Sequence, residues 1–237
     1  MKKRYILFSV AAIVAVAMVI FVFVRSDEDK GVVTEVTDCA DIVTVEDTTV
    51  KVLADNTLFI GDSRSVGLCK YADMGDADFF AIVGMTVFRI REAVTEVEGM
   101  GEVTLDMVLS SKQYSRIYVM LGVNEAGYAL NNIVNEYSSL LAEIAAKQPE
   151  AKIVIQANLK VTDEFSQKSE SIKNEAIDRI NQSLATFADG RKIFFIDANP
   201  VFADDNGCLD PMHSSDGIHL YADSYAAWGE WIKEQIV

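Results

Sequence analysis

Thr57-Leu58-Phe59-Ile60-Gly61-Asp62-Ser63-Arg64-Ser65 is the stretch whose reading decides this chain. Four apolar or β-branched residues make a short strand buried on both faces, and Gly-Asp-Ser then turns the backbone. A serine placed on such a turn stands at the carboxyl end of a strand, where its hydroxyl can be presented as a nucleophile.

Working outward, short apolar runs recur and alternate with helix-period segments. Residues Thr57 to Ile60, Phe79 to Val83, Arg116 to Leu121, Lys152 to Gln156 and Lys192 to Ile196 read as five buried strands. Between the later runs, Ile133, Val134, Tyr137, Leu140, Leu141 and Ile144 keep one apolar helical face, as do Ile172, Ala176, Ile177, Ile180, Leu184 and Phe187. A last helix from about Tyr221 carries Trp228, Trp231 and Ile232 inward. This alternation specifies a parallel sheet covered on both sides, a three-layer α/β/α fold of flavodoxin-like type. Of the three prolines, Pro149 closes a helix, Pro200 follows the last strand and Pro211 sits in a loop.

The N-terminus reads Lys2-Lys3-Arg4 and then twenty residues, Tyr5 to Val24, with Ser9 as their one strongly polar member. That length crosses a bilayer as a helix. Cations before the span and Asp27, Glu28 and Asp29 after it place the N-terminus in the cytoplasm and the rest outside. Ala15-Val16-Ala17 offers a signal-peptidase site, so cleavage and secretion is the alternative to a retained anchor. Residues 1–25 are thus expected to anchor, 26–56 to form an acidic tether, and 57–237, about 180 residues, to form one domain.

The formal net charge is −15, or −18 without Lys2, Lys3 and Arg4. That leaves no basic footprint for nucleic acid and favours a neutral substrate. Three cysteines, Cys39, Cys69 and Cys208, include no C-x-x-C pair, so neither a disulfide framework nor a thiolate metal site is indicated. A single bridge such as Cys39 to Cys208 stays open, and Cys69 is expected to pack.

In open α/β sheets the site lies beyond the carboxyl ends of the strands. Gly61-Asp62-Ser63, Gly84, Gly122-Val123-Asn124-Glu125 and the loop holding Asp216 and His219 all occupy such ends. An Asp three residues before a His lets the carboxylate fix the imidazole tautomer while the other ring nitrogen faces a serine. Ser65 is a rival nucleophile, and Asp210-Pro211-Met212-His213 repeats the Asp-x-x-His spacing. Asp204, Asp205, Asp210, His213, Asp216 and His219 form a zinc-like composition, but no i, i+4 His pair enforces it, so no metal and no cofactor is expected, with structural calcium left open.

Taken together, Gly61-Asp62-Ser63, Gly84, Gly122-x-Asn124 and Asp216-x-x-His219 resemble the four blocks of the SGNH (GDSL-type) hydrolase superfamily, in order and over the whole domain from Thr57 onward. The resemblance implies Ser63 as nucleophile, His219 as general base then acid, and Asp216 as its orienting partner. It also implies an oxyanion hole from the backbone N–H groups of Ser63 and Gly84 and the side-chain amide of Asn124. Because the family's pair sits just before the terminal helix, His219 is preferred to His213, which would lie at the pocket rim. Two positions depart from the pattern: Arg64 stands where the family has Leu, and Glu125 where Asp often follows the Asn. Arg64 is expected either to pair with Asp62 or Glu125 or to contact a polar substrate, and Tyr128 either to line the pocket or to be a surface aromatic.

The resulting expectation is an extracytoplasmic serine esterase, tethered to the membrane by its N-terminal helix, that removes small acyl groups from cell-surface glycan or peptidoglycan. An O-acyltransferase using the same residues and a non-catalytic glycan-binding module are the alternatives.

Overall fold

Each of the five apolar runs forms a strand: β1 (Thr57–Gly61), β2 (Asp78–Ala81), β5 (Arg116–Met120), β6 (Lys152–Gln156) and β7 (Ile193–Ile196). The computed structural model describes residue 53 and residues 56–235. The expected span over 5–24, nearly all of the tether and Cys39 lie outside them. Among the described residues no helix is long and apolar enough to cross a membrane.

The five strands pair in parallel in the order β2-β1-β5-β6-β7. Counted along the chain this is second-first-third-fourth-fifth, the flavodoxin-like order, whose direction reverses between β1 and β5. Alternate residues feed two cores. Leu58, Ile60, Ile117, Val119, Ile153 and Ile155 face one side, with buried residues of α2 (Leu105–Ser111), α3 (Leu130–Lys147) and α5 (Asn174–Ala185). Phe59, Tyr118, Met120 and Val154 face the other, with Leu68 of α1 (Ser63–Tyr71) and Tyr225, Trp228 and Ile232 of α7 (Ala222–Glu234). Three layers result because every central strand is apolar in both directions.

On the α1–α7 side, Phe79, Phe59 and Tyr118 stack across three neighbouring strands, with ring centroids 4.8 and 4.6 Å apart and planes within 9°. The register that pairs Phe59 with both residues puts the rings in line. Such cross-strand aromatic pairs add to sheet stability beyond their buried area.

Two features differ from the sequence reading. β2 ends at Ala81 rather than Val83, which frees 82–88 to form a loop. A hairpin, β3 (Val94–Val97) with β4 (Gly101–Thr104), lies between β2 and α2. Its strands bury only Val97 and Val103, so their apolar signal is too short to register. The short α4 (Asp163–Lys168) and α6 (Asn199–Phe202) complete the helices.

Helices α1 and α7 touch closely because Gly67 has no side chain: a Cβ there would lie 2.2 Å from Cζ of Tyr225. Gly67→Ala gains helix propensity worth about 1 kcal/mol but overpacks this contact. It is expected to destabilise the domain by a net ~1–3 kcal/mol, read as a lower chemical-denaturation midpoint.

Candidate active site

The site grows from the first turn of α1. Asp62 caps the helix, its Oδ1 accepting the Arg64 N–H at 2.9 Å. Ser63 is therefore the first helical residue, where backbone N–H groups have no partner inside the helix and the positive end of the helix dipole favours negative charge. Ser65, two residues on in the same first turn, is buried, and its Oγ fills the space beside Gly61, where a Cβ would come within 2.0 Å of it. Only Ser63 of the two faces outward.

Opposite stands the loop before α7. His219 Nε2 lies 2.9 Å from Ser63 Oγ, and His219 Nδ1 lies 2.7 Å from Asp216 Oδ2. Asp216 Oδ1 accepts the N–H groups of Ile218 and His219, at 2.9 and 2.8 Å, and the Ser214 hydroxyl at 3.2 Å. Burial pushes the Asp216 carboxyl up, but these backbone donors and the His219 ring outweigh it and hold the group at about 2. It is an anion at any ordinary pH and fixes the imidazole proton on Nδ1, leaving Nε2 to accept from the serine. The turn needs Gly217: its φ is +83°, and a Cβ there would meet Thr162 Oγ1 at 2.6 Å.

The oxyanion candidates come from the two strands flanking β1. Gly84, exposed with φ +72°, sits in the loop after β2. Asn124 follows β5 and donates from Nδ2 to the Met85 carbonyl at 2.9 Å. The neighbouring Glu125 accepts the Val87 N–H on Oε1 at 2.6 Å, and Tyr128 leans on Phe88 with ring centroids 5.3 Å apart. Three contacts thus bind the loop after β2 to the loop after β5. Tyr128 itself is 63 % exposed.

Arg64 corrects one expectation. It is 1 % exposed, so it cannot be a substrate contact. Its Nε donates to the Ile218 carbonyl at 3.1 Å and its Nη1 to the Leu159 carbonyl at 2.7 Å. The charge of Asp62 favours the buried cation against the desolvation that opposes it. The expected interaction with Asp62 is present, whereas the two carbonyl partners, of which Ile218 ties α1 to the His219 loop, were not foreseen.

His213 is not brought to the serine. Its Nδ1 lies 2.9 Å from Ser224 Oγ and its ring packs edge-on against Phe202. Asp204 accepts the N–H groups of Asn206 and Cys208, and Asp210 that of Met212. Among the described residues no group of three or more His, Cys, Asp or Glu is placed to hold a metal. Cys69 is exposed on α1 rather than packed, and Cys208 is a free thiol that accepts from Asn174 Nδ2 at 3.3 Å.

This fold and this row of Ser, His and Asp define a serine hydrolase architecture. The GDSL-like lipase/acylhydrolase family matches residues 59–227, and the chain belongs to that family and is a carboxylic ester hydrolase. No curated protein matches it. Solved structures share its fold. A Streptococcus pneumonia protein provisionally called a platelet activating factor has 23 % identity and a TM-score of 0.63, the match covering 78 % of this chain and 86 % of that one. A GDSL-like lipase from Bacteroides thetaiotaomicron has 18 % identity and a TM-score of 0.59, over 75 % and 85 %. An acetyl xylan esterase has 11 % identity and a TM-score of 0.55, over 76 % and 99 %.

Replacing Arg64 by Lys keeps the charge but cannot reach both carbonyls in the same planar geometry. Arg64→Lys is expected to cost ~1–3 kcal/mol of stability, the penalty for an unsatisfied buried acceptor. It should also slow fluorophosphonate labelling of the folded protein, because the loop carrying His219 loses its tie to α1.

Proposed function

We propose that this protein is a membrane-tethered, extracytoplasmic esterase that removes small acyl groups, O-acetyl foremost, from cell-surface glycan or peptidoglycan. The observation that carries the chemistry is the hydrogen-bonded row Ser63 Oγ, His219 Nε2, His219 Nδ1, Asp216 Oδ2, at 2.9 and 2.7 Å.

In this reading His219 Nε2 takes the Ser63 proton as Oγ attacks the acyl carbon, and the imidazolium is stabilised by ionised Asp216. The developing oxyanion is received by the N–H groups of Ser63 and Gly84 and by the second N–H of Asn124 Nδ2, whose first is spent on Met85. His219 then gives its proton to the leaving alcohol. Water, deprotonated by the same nitrogen, attacks the acyl-Ser63 ester and releases the acid and the free serine.

Three observations support a small acyl group on a polymer. The side chains of His219 and Asp216 are 42 % and 51 % exposed, so the triad is open to a substrate larger than the site. A long acyl chain would need an apolar channel, since each buried CH₂ is worth only about 0.8 kcal/mol and that gain requires burial; the apolar side chains nearest Gly84 and Asn124 in the chain, Val83 and Tyr128, are exposed, Tyr128 leaning on Phe88. A fold neighbour is an acetyl xylan esterase. The apolar run Tyr5 to Val24 and the charges around it support the tether and the extracytoplasmic location.

With a chromogenic acetyl ester, Ser63→Ala and His219→Ala should each lower kcat/KM by about 10³-fold or more, whereas Ser65→Ala and His213→Ala should change it less than about fivefold. Loss of activity in Ser65→Ala with retention in Ser63→Ala would overturn the nucleophile. On acetylated cell-wall glycan the expected product is free acetate. Label moving instead to an added glycan hydroxyl would make the protein a transferase, and no turnover and no fluorophosphonate labelling would leave it a binding module.

A further inference from the structure

Two carboxyl groups lie fully buried beneath the turn that carries Ser63, and the proton transfers described above use neither. Asp62 commits Oδ1 to the Arg64 N–H, and Glu125 commits Oε1 to the Val87 N–H. Their second oxygens, Asp62 Oδ2 and Glu125 Oε2, are buried and, among the described residues, have no hydrogen-bond partner. The groups are close enough for the charge of Asp62 to act on Glu125. Both act on the hydroxyl of Tyr137, which points from α3 into the same space and accepts the Leu121 N–H at 3.2 Å.

Two carboxylate anions with acceptor-only oxygens cannot occupy one dry space cheaply. A single proton resolves the conflict, because it turns one of the two into a donor. The proton belongs on Glu125. Burial leaves both groups raised on balance, but Asp62 has the charges of Arg64 and His219 and the Arg64 N–H working against that rise. For Glu125, which has no cation beside it, burial and Asp62 outweigh the backbone N–H groups of Val87, Glu125 and Gly122 and push it up to about 7.

We propose that Glu125 is a positioning residue working as a neutral acid: Oε1 holds the oxyanion loop through Val87, while Oε2 keeps a proton that it shares with the equally unpartnered Asp62 Oδ2 under the nucleophile turn. Glu125 then ties Gly84, three residues before Val87, to the turn that carries Ser63. The acid cluster stands on the fold alone, and its effect on turnover rests on the esterase reading.

The groups facing Glu125 are Asp62 from the β1–α1 turn and Tyr137 from α3, with Arg64 and His219 acting through Asp62. Losing the proton places a second anion beside Asp62 and loosens the tie. Because the folded value is raised above the ordinary 4.5, only the folded chain keeps the proton between about 4.5 and about 7. The stabilisation is complete at low pH and is lost as pH rises through about 7.

Glu125→Gln mimics the neutral acid, with a carbonyl for Val87 and an N–H for the cluster. In the full chain, the ratio of Glu125→Gln to wild-type kcat on 4-nitrophenyl acetate should rise about tenfold from pH 6 to pH 9, starting within about threefold of unity. Taking this ratio removes any pH dependence common to both. Glu125→Ala should lower kcat about 100-fold with KM little changed, the effect of a misplaced oxyanion loop. pH-difference infrared spectroscopy should show a buried carboxylic-acid band that wild type loses around pH 7 and Glu125→Gln lacks.

A flat kcat ratio, full activity in Glu125→Ala, or the same acid band persisting in Glu125→Gln would each overturn the assignment. If Glu125→Ala does not fold, the comparison of wild type with Glu125→Gln still decides. A chain inactive on every ester would sink the esterase reading while the infrared titration continued to test the acid.

Discussion

The site exists only because two segments 156 residues apart are held against each other. Ser63 begins α1 and His219 precedes α7, so their 2.9 Å contact depends on whatever fixes those helices relative to the sheet. Two devices do so. Gly67 lets Tyr225 sit on the backbone of α1, and Ala72 lies against Gly229 of α7 in the same way. The Arg64 guanidinium then reaches from α1 to the Ile218 carbonyl, inside the Asp216–His219 turn itself. The helix contact sets the distance and the guanidinium sets the orientation.

The sheet supplies the remaining precision. In the order β2-β1-β5-β6-β7 the strands on either side of β1 deliver the two loops that carry Gly84 and Asn124, at the point where the order reverses. Loops are normally the least constrained parts of a fold. Here the loop after β2 is fixed to the loop after β5 through Met85, Val87 and Phe88. In the proposed mechanism, donors that must not reorganise as charge develops are thereby held before substrate arrives.

Much of this could be read from residues alone. The five strands, the parallel sheet and its helical cover follow from apolar runs such as Lys152 to Gln156 and from the face of Ile133, Tyr137, Leu140 and Ile144, because burial on both faces leaves a strong one-dimensional signal. The sequence also pointed to the residues that meet, since Gly61-Asp62-Ser63 and Asp216-x-x-His219 are local patterns whose spacing carries their geometry. The β3–β4 hairpin escaped because two buried valines in eight strand residues make no periodicity. The roles of Arg64 and Glu125 escaped for a different reason. Pairing of Arg64 with Asp62 was expected, but the remaining partners are backbone groups of Ile218, Leu159 and Val87, which have no sequence signature.

Those two departures from the family pattern are linked by charge. Placing a guanidinium where the family has leucine puts a positive charge into a space 1 % exposed to water, at a desolvation cost of several kcal/mol unless hydrogen bonds and an anion compensate it. The carbonyls of Ile218 and Leu159 supply the hydrogen bonds, and Asp62, buried beside it, supplies the anion. Once Arg64 and Asp62 cancel, a second ionised carboxylate has no cation left to balance it. The longer acid at 125 then fits the space best with its proton on, where it adds a donor without adding charge.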